Sequence, residues 1–362
     1  MMVIKTSVLA LVLCAVAHAQ VPTENTKLTA LYDADRDWSN ARPADVKAAH
    51  ERHVEVQSML RAGQVVTGGD FYHAAEIFQS NFDADEALLA HTLAAVSVAK
   101  GNQDARWLSA TMLDRYLRAI WEPQLFGGEI ESSDDGTGTG RYRTLLGLVS
   151  DSMRSTMCVA PLSGLNAVSS VGQKKADTKS TRIPCPATSA AQKDNLRIKA
   201  LADEDQADRD DSKGPVDWPK VAARDLARQK EARHLLDVGE IRTDQDYFNT
   251  GLLFQHSQRP EDYLLAHVLA MGASVRGNSD ARWLFAVTLD RFLNSISRPQ
   301  IFGTQFETTA WNPEITQKNL DPNLLSDGLR AGMCIVPLAT LSKIPAEVKA
   351  GKAVSSQLDP CP

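Results

Sequence analysis

The residues of this chain best suited to acid–base chemistry are polar groups set on apolar helical stripes. His91 lies in the stripe Leu88, His91, Ala95, Val98, and His267 in Leu264, His267, Met271, Ser274. Asp114 falls among Trp107, Ala110 and Leu117, and Asp290 among Trp283, Ala286 and Leu293. A polar group on a core-facing stripe needs a partner, because an unpaired buried charge is costly. Helices folded back at Gly101 and Gly277 would bring the stripes together, so the pairs expected are His267 with Asp290 and His91 with Asp114. Such a pair is either an acid–base or ligand-holding dyad or a structural pair that sets hairpin register. Arg115 and Arg291 follow the aspartates, while Arg106 and Arg282 precede the tryptophans. These arginines can clamp a carboxylate, or cap carbonyls and lie along an aromatic face. Trp107 and Trp283 read as core anchors.

A second candidate is the loop Pro-Gln-x-Phe-Gly at 123–127 and again at 299–303. Gly permits a positive-φ turn, Phe can plug the hairpin, and Gln124 or Gln300 either ties the loop down or presents an amide to a ligand. Gln305 exists only in the second loop.

These residues recur because the chain repeats itself at an offset of 176 positions. Gly101-Asn102-Gln103-Asp104-Ala105-Arg106-Trp107-Leu108 aligns with Gly277-Asn278-Ser279-Asp280-Ala281-Arg282-Trp283-Leu284, and Pro184-Cys185-Pro186 with Pro360-Cys361-Pro362. Copy one is expected over 20–186 and copy two over 195–362, joined by a small, polar linker at 187–194. The period within each copy is helical. Helices are expected over 44–60, from Asp70 or Asp246 to the Phe-Gln at 78–79 or 254–255, over 83–100, 104–120 and 145–157, and over 324–333. No alternating β-rich run competes, so the fold class is all-α, with two tandem homologous helical domains built on helix–turn–helix hairpins.

The pattern A-H-x-L-A-x(6)-G-N-x-x-A-R-W-L resembles the helix–turn–helix unit of tetratricopeptide-type repeats over about 35 residues per copy. Asp205-Gln206-Ala207-Asp208-Arg209, Leu289-Asp290-Arg291 and the run from Arg298 to Phe306 resemble an uncharacterised bacterial family with a D-Q-x-x-R start and an L-x-D-R…P-Q-x-[FY]-G-T-Q core. That resemblance implies a fold and no reaction. Copy one departs from it, with Gly127-Gly128-Glu129 in place of Gly303-Thr304-Gln305. A ligand site is therefore expected in copy two.

Lys5, the apolar run from Val8 to Val16 and Ala17-His18-Ala19 form a secretory signal over 1–19, and no later stretch is long enough to span a bilayer. Export to the periplasm or outside the cell suits Cys158, Cys185, Cys334 and Cys361, whose equal spacing in each copy gives Cys158–Cys185 and Cys334–Cys361. Clustered zinc-type spacing is absent, so neither metal nor cofactor is expected. The net charge of −6 and the lack of a basic patch exclude nucleic-acid binding. G-x-S-x-G, H-E-x-x-H, phosphate-loop and Rossmann patterns are missing. The leading reading is an exported helical binding or scaffold protein with a protein or peptide partner. The alternative is a hydrolase-type enzyme whose site in copy two comprises His267, Asp290, Arg291, Gln300 and Gln305, with His91, Asp114, Arg115 and Gln124 as a weaker copy.

Overall fold

The computed structural model describes residues 22–35, 43–79, 83–128, 130–132, 139–141, 144–145, 147–162, 181–186, 192–210, 212, 214–308 and 314–361. The leader at 1–19, most of the loop at 169–188 and residues 187–191 of the linker lie outside them.

The fold is all-α, as the helical period requires. The first half contributes α1 (Thr26–Asp35), α2 (Pro43–Arg61), α3 (Gly68–Gln79), α4 (Ala84–Ala99), α5 (Ala105–Ala119) and the short α6 (Asp151–Thr156). The second contributes α7 (Leu196–Ala207), α8 (Trp218–Asp237), α9 (Asp244–Phe254), α10 (Pro260–Val275), α11 (Ala281–Ser295), α12 (Asp327–Gly332), α13 (Leu338–Leu341) and α14 (Ile344–Lys349). Strands β1 (Ile130–Ser132) and β2 (Thr139–Arg141) pair antiparallel with Ile130 opposite Arg141. Strands β3 (Phe306–Glu307) and β4 (Thr316–Gln317) pair with Phe306 opposite Gln317. These ribbons decorate the loops after α5 and α11 and leave the class unchanged.

Local chemistry sets the helix ends. Asp83 caps α4 by accepting from the Asp85 and Glu86 amides. The helix expected from Asp246 starts earlier: Thr243 caps α9, and Asp246 sits at the third helical position of a reciprocal capping box. Gly101 and Gly277, at φ +95° and +108°, turn the chain between α4 and α5 and between α10 and α11. The helices expected over 145–157 and 324–333 shrink to α6 and α12, which begin after the caps Ser150 and Ser326, and Leu145 donates to the Gln124 carbonyl of the loop instead. The disulfides Cys158–Cys185 and Cys334–Cys361 close as the spacing indicates.

Helices α4 and α10 are the core. Every residue from Ala87 to Val98 is buried, as is every residue from Leu264 to Ala273. The buried apolar side chains form one continuous cluster drawing on both halves. Across the boundary α4 meets α10, α10 meets α6, and α4 meets α12. The last two contacts interchange under the 176-residue offset, and α4 against α10 maps onto itself. That is the signature of an isologous contact about a local two-fold axis.

Gly332 sets the closest approach. A Cβ there would lie 2.8 Å from Cγ1 and 3.1 Å from Cγ2 of Val96, a β-branched side chain with little freedom to move. Gly332→Ala is expected to cost about 1–3 kcal/mol by overpacking. Urea unfolding indistinguishable from wild type would show that the α4–α12 contact yields freely.

Candidate functional site

The Pro-Gln-x-Phe-Gly loops are clamped from both sides. Fully buried Asp290 accepts from the backbone amides of Ile301 (2.9 Å), Phe302 (3.0 Å) and Thr304 (2.9 Å), and from the Thr304 hydroxyl (2.8 Å). Arg330, 1% exposed, donates to the carbonyls of the same two residues, Ile301 (3.0 Å) and Phe302 (3.3 Å), and to Leu325 (2.7 Å). One carboxylate thus takes the turn's N–H groups and one guanidinium its C=O groups. Copy one repeats this: Asp114 holds Leu125, Phe126 and Gly128, and Arg154 holds Leu125 and Phe126. Burial pushes the Asp290 carboxyl up, and the three amides and the Thr304 hydroxyl oppose it.

The other loop residues are equally committed. Gln300, fully buried, donates to the carbonyls of Gln305 and Lys318 and accepts from the Gln305 amide at 2.8 Å. Gln124 is fully buried in the matching place. Gln305 is half-buried and donates to Thr304 Oγ1.

The expected His–Asp pairs do not form. Nε2 of His267 lies 3.0 Å from Nε2 of His91, and the two rings are the 176-residue equivalents of each other. Their Nδ1 atoms lie on backbone carbonyls, His91 on Ser109 (2.8 Å) and His267 on Phe285 (3.0 Å). The aspartates turn away, each toward its own loop. A carbonyl oxygen accepts only from N–H, so both Nδ1 atoms carry hydrogens. A bond between the two Nε2 atoms then requires one added proton, and there is no room for a second. Burial pulls His91 down to about 4, against the raising effect of Ser109. It pulls His267 well below its ordinary value, and the charge of His91 adds to the effect. Both rings are sealed and bear on helix packing.

No protein-family model matches the chain, and no curated protein or solved structure does either. The site must therefore be read from its own geometry.

Arg291 reaches an open space: a cleft of about 1050 Å³ lined by the second half together with Leu148. One wall is a single face of α8, with Trp218, Val221, Ala222, Asp225, Leu226, Gln229, Lys230 and Arg233 at successive three- and four-residue steps. The other is the α9–α10 corner, from Phe254 to Asp262, with Arg291 beside it. Arg291 donates to the Gln255 carbonyl at 2.9 Å, and burial lowers its pKa. Arg115 donates to the equivalent Gln79 carbonyl in copy one.

The residues of the D-Q-x-x-R start meet beneath this cleft. Asp205, 1% exposed, takes Arg209 (2.8 Å) and His256 Nδ1 (3.1 Å). Asp225 bridges Arg209 and Arg228 at 2.6 Å each, and Arg228 continues to Asp208 at 2.8 Å. Burial lowers the His256 pKa, the Asp205 contact resists this, and Arg209 and Arg291 reinforce it. Sequence reasoning missed His256, Asp225 and Arg228. The signal lay in the internal comparison: copy one has Ser80 and Ala49 where copy two has His256 and Asp225.

Proposed function

We propose that this is an exported, non-catalytic binding protein, made of two related helical units, whose working surface is the second-half cleft. The observation that carries this reading is the α8 face. It runs about 22 Å at 1.5 Å per residue and leaves Trp218 61% and Leu226 71% exposed within the cleft. Exposed apolar side chains at helical spacing in a groove are how helices receive amphipathic peptides. Among the lining residues cations outnumber carboxylates five to three, so the partner is an acidic amphipathic segment. The paired disulfides and the leader-like start support export. The sealing of His267, Asp290 and Gln300 weighs against an enzyme built on them.

The test is fluorescence anisotropy of the full chain with labelled amphipathic helical peptides, one carrying glutamates on its polar face and one lysines. The acidic peptide should bind, and Trp218→Ala or the pair Lys230→Glu, Arg233→Glu should weaken it at least ten-fold. Equal binding of both peptides, or no response to these substitutions, would overturn the reading.

One observation favours a second reading. His256, held on Nδ1 by a buried aspartate and kept neutral by burial, has the arrangement of a general base. The hydrolase alternative thus moves from His267 and Asp290 to His256 and Asp205. It requires ester or amide turnover that His256→Gln abolishes while peptide binding survives.

A further inference from the structure

The strongest unassigned feature is a pocket of about 500 Å³ where α6 meets the second half. Arg106 and Arg276 converge there on one residue. Arg106, 4% exposed, donates to the Thr156 carbonyl at 3.3 Å, and its remaining contacts are the carbonyls of Gln103 and Pro186. Arg276 donates to Thr156 Oγ1 at 2.8 Å and lies 5.1 Å over the Tyr247 ring, and its buried Nε has no partner. Among the described residues no carboxylate lies within 4 Å of either guanidinium. Burial lowers the Arg106 pKa, the nearby Asp104 resists, and the charge of Arg276 pushes it further down. Two cations are therefore held together and partly desolvated, with no carboxylate in ion-pair contact although Asp104 lies near Arg106 and Asp237 lines the pocket, and an anion between them would complete the set.

The internal comparison shows that the fold does not demand this set. Hydroxyls line the pocket at Ser152, Ser155 and Thr156, with Ser152 Oγ 3.2 Å from the Tyr247 hydroxyl. At the equivalent junction of α12 with the first half these positions are Gly328, Ala331, Gly332 and Phe71. Lys100 stands in for Arg276 and lies 5.8 Å over Phe71 in the same manner. The cation over an aromatic ring is thus common to both junctions, whereas the hydroxyls belong to one. Thr156 donates to the Ser152 carbonyl and Ser152 bonds the Tyr247 hydroxyl, so part of the set ties the junction together, and Ser155 adds a hydroxyl that the other junction lacks.

We propose that this pocket binds a tetrahedral oxyanion of the phosphate class, gripped by Arg106 and Arg276 and hydrogen-bonded by Ser152 and Ser155. The site is separate from the α8 cleft and does not depend on what that cleft binds. A space of this size exceeds a bare phosphate, so inorganic phosphate and the phosphomonoester glycerol 3-phosphate distinguish a free ion from the end of a larger ligand.

Titration of the full chain with each, by calorimetry and by thermal shift at constant ionic strength, is the experiment. At least one should bind and raise the melting temperature beyond what chloride does, and whichever binds more tightly identifies the source. Arg276→Gln should weaken binding at least ten-fold, whereas Lys100→Gln at the equivalent junction should leave it unchanged. If Arg276→Gln fails to fold, the pair Ser152→Gly, Ser155→Ala installs the residues of the other junction and should weaken binding as well. The proposal fails if both phosphates act no more strongly than chloride. It also fails if the Arg276 or serine variants bind like wild type, or if Lys100→Gln loses binding to the same degree.

Discussion

Replacing Asp290 with alanine is expected to lower the unfolding free energy by about 3–5 kcal/mol, the cost of breaking a buried charge arrangement from one side. The carboxylate collects three backbone amides and a hydroxyl from one turn, and alanine would leave all four donors buried without an acceptor. It would also remove one of the carboxylates that face Arg330, 1% exposed, leaving Asp327 at 3.6 Å as its ion-pair partner. Asn is no rescue, because its NH2 would point a donor at donors. Thr304→Val removes one donor with its own side chain and should cost much less. Urea unfolding of the full chain decides the matter: an Asp290→Ala midpoint matching that of Thr304→Val would show that the clamp is not a buried unit.

That clamp explains why Pro-Gln-x-Phe-Gly reads as a site in the sequence. A carboxylate, an amide and an arginine recurring at fixed spacing look the same whether they meet a ligand or the protein's own backbone. The residue that would have separated the two readings is Arg330, which lies 28 positions after Phe302 and belongs to no recognised motif. The disulfide pairing and the helix succession were legible because each depends on spacing within one copy. The His–Asp pairing was not. Periodicity tells which way a side chain points only when the helix has an exposed face to oppose the buried one. Helices α4 and α10 are buried through three turns, so their stripes carry no such reference. The partner of His267 lies in the other copy, across a contact that no local pattern encodes.

The cleft was legible in part. Asp205, Arg209 and Arg291 stand in motifs, and the departure of copy one from them pointed to the second half. His256 and Asp225 emerge only when the copies are compared position by position. There the first half offers Ala49 where the second offers Asp225, and among the described residues its α2 keeps only the Arg52–Asp35 pair at 2.7 Å of the wider network. A repeat whose halves differ at charged, cleft-lining positions has kept its packing in both and its full polar set in one.

The histidine pair should make the chain sensitive to acid. In the unfolded chain both imidazoles take a proton near pH 6.5. In the folded chain His91 takes one only near pH 4, and His267 is likewise held well below its ordinary value, because burial opposes the charge. With folded values below unfolded ones, the unfolded state binds more protons as the pH falls. Stability from the pair is thus complete above pH 6.5 and is lost progressively from pH 6.5 down to about 4. At 1.36 kcal/mol per pH unit, His91 alone accounts for about 3 kcal/mol of that loss, and His267 adds to it. The geometry bears on the second proton alone, since two Nδ1–H groups fixed on carbonyls leave room for one shared proton between the Nε2 atoms, not two. The pair His91→Leu, His267→Leu fills similar volume beside Phe285 and removes both titrations. Unfolding free energies of wild type and double variant, compared from pH 7 to pH 4, should converge or cross by at least about 3 kcal/mol. A difference that stays constant over this range would mean that the rings titrate alike in the folded and unfolded chain, and that the core around them admits water.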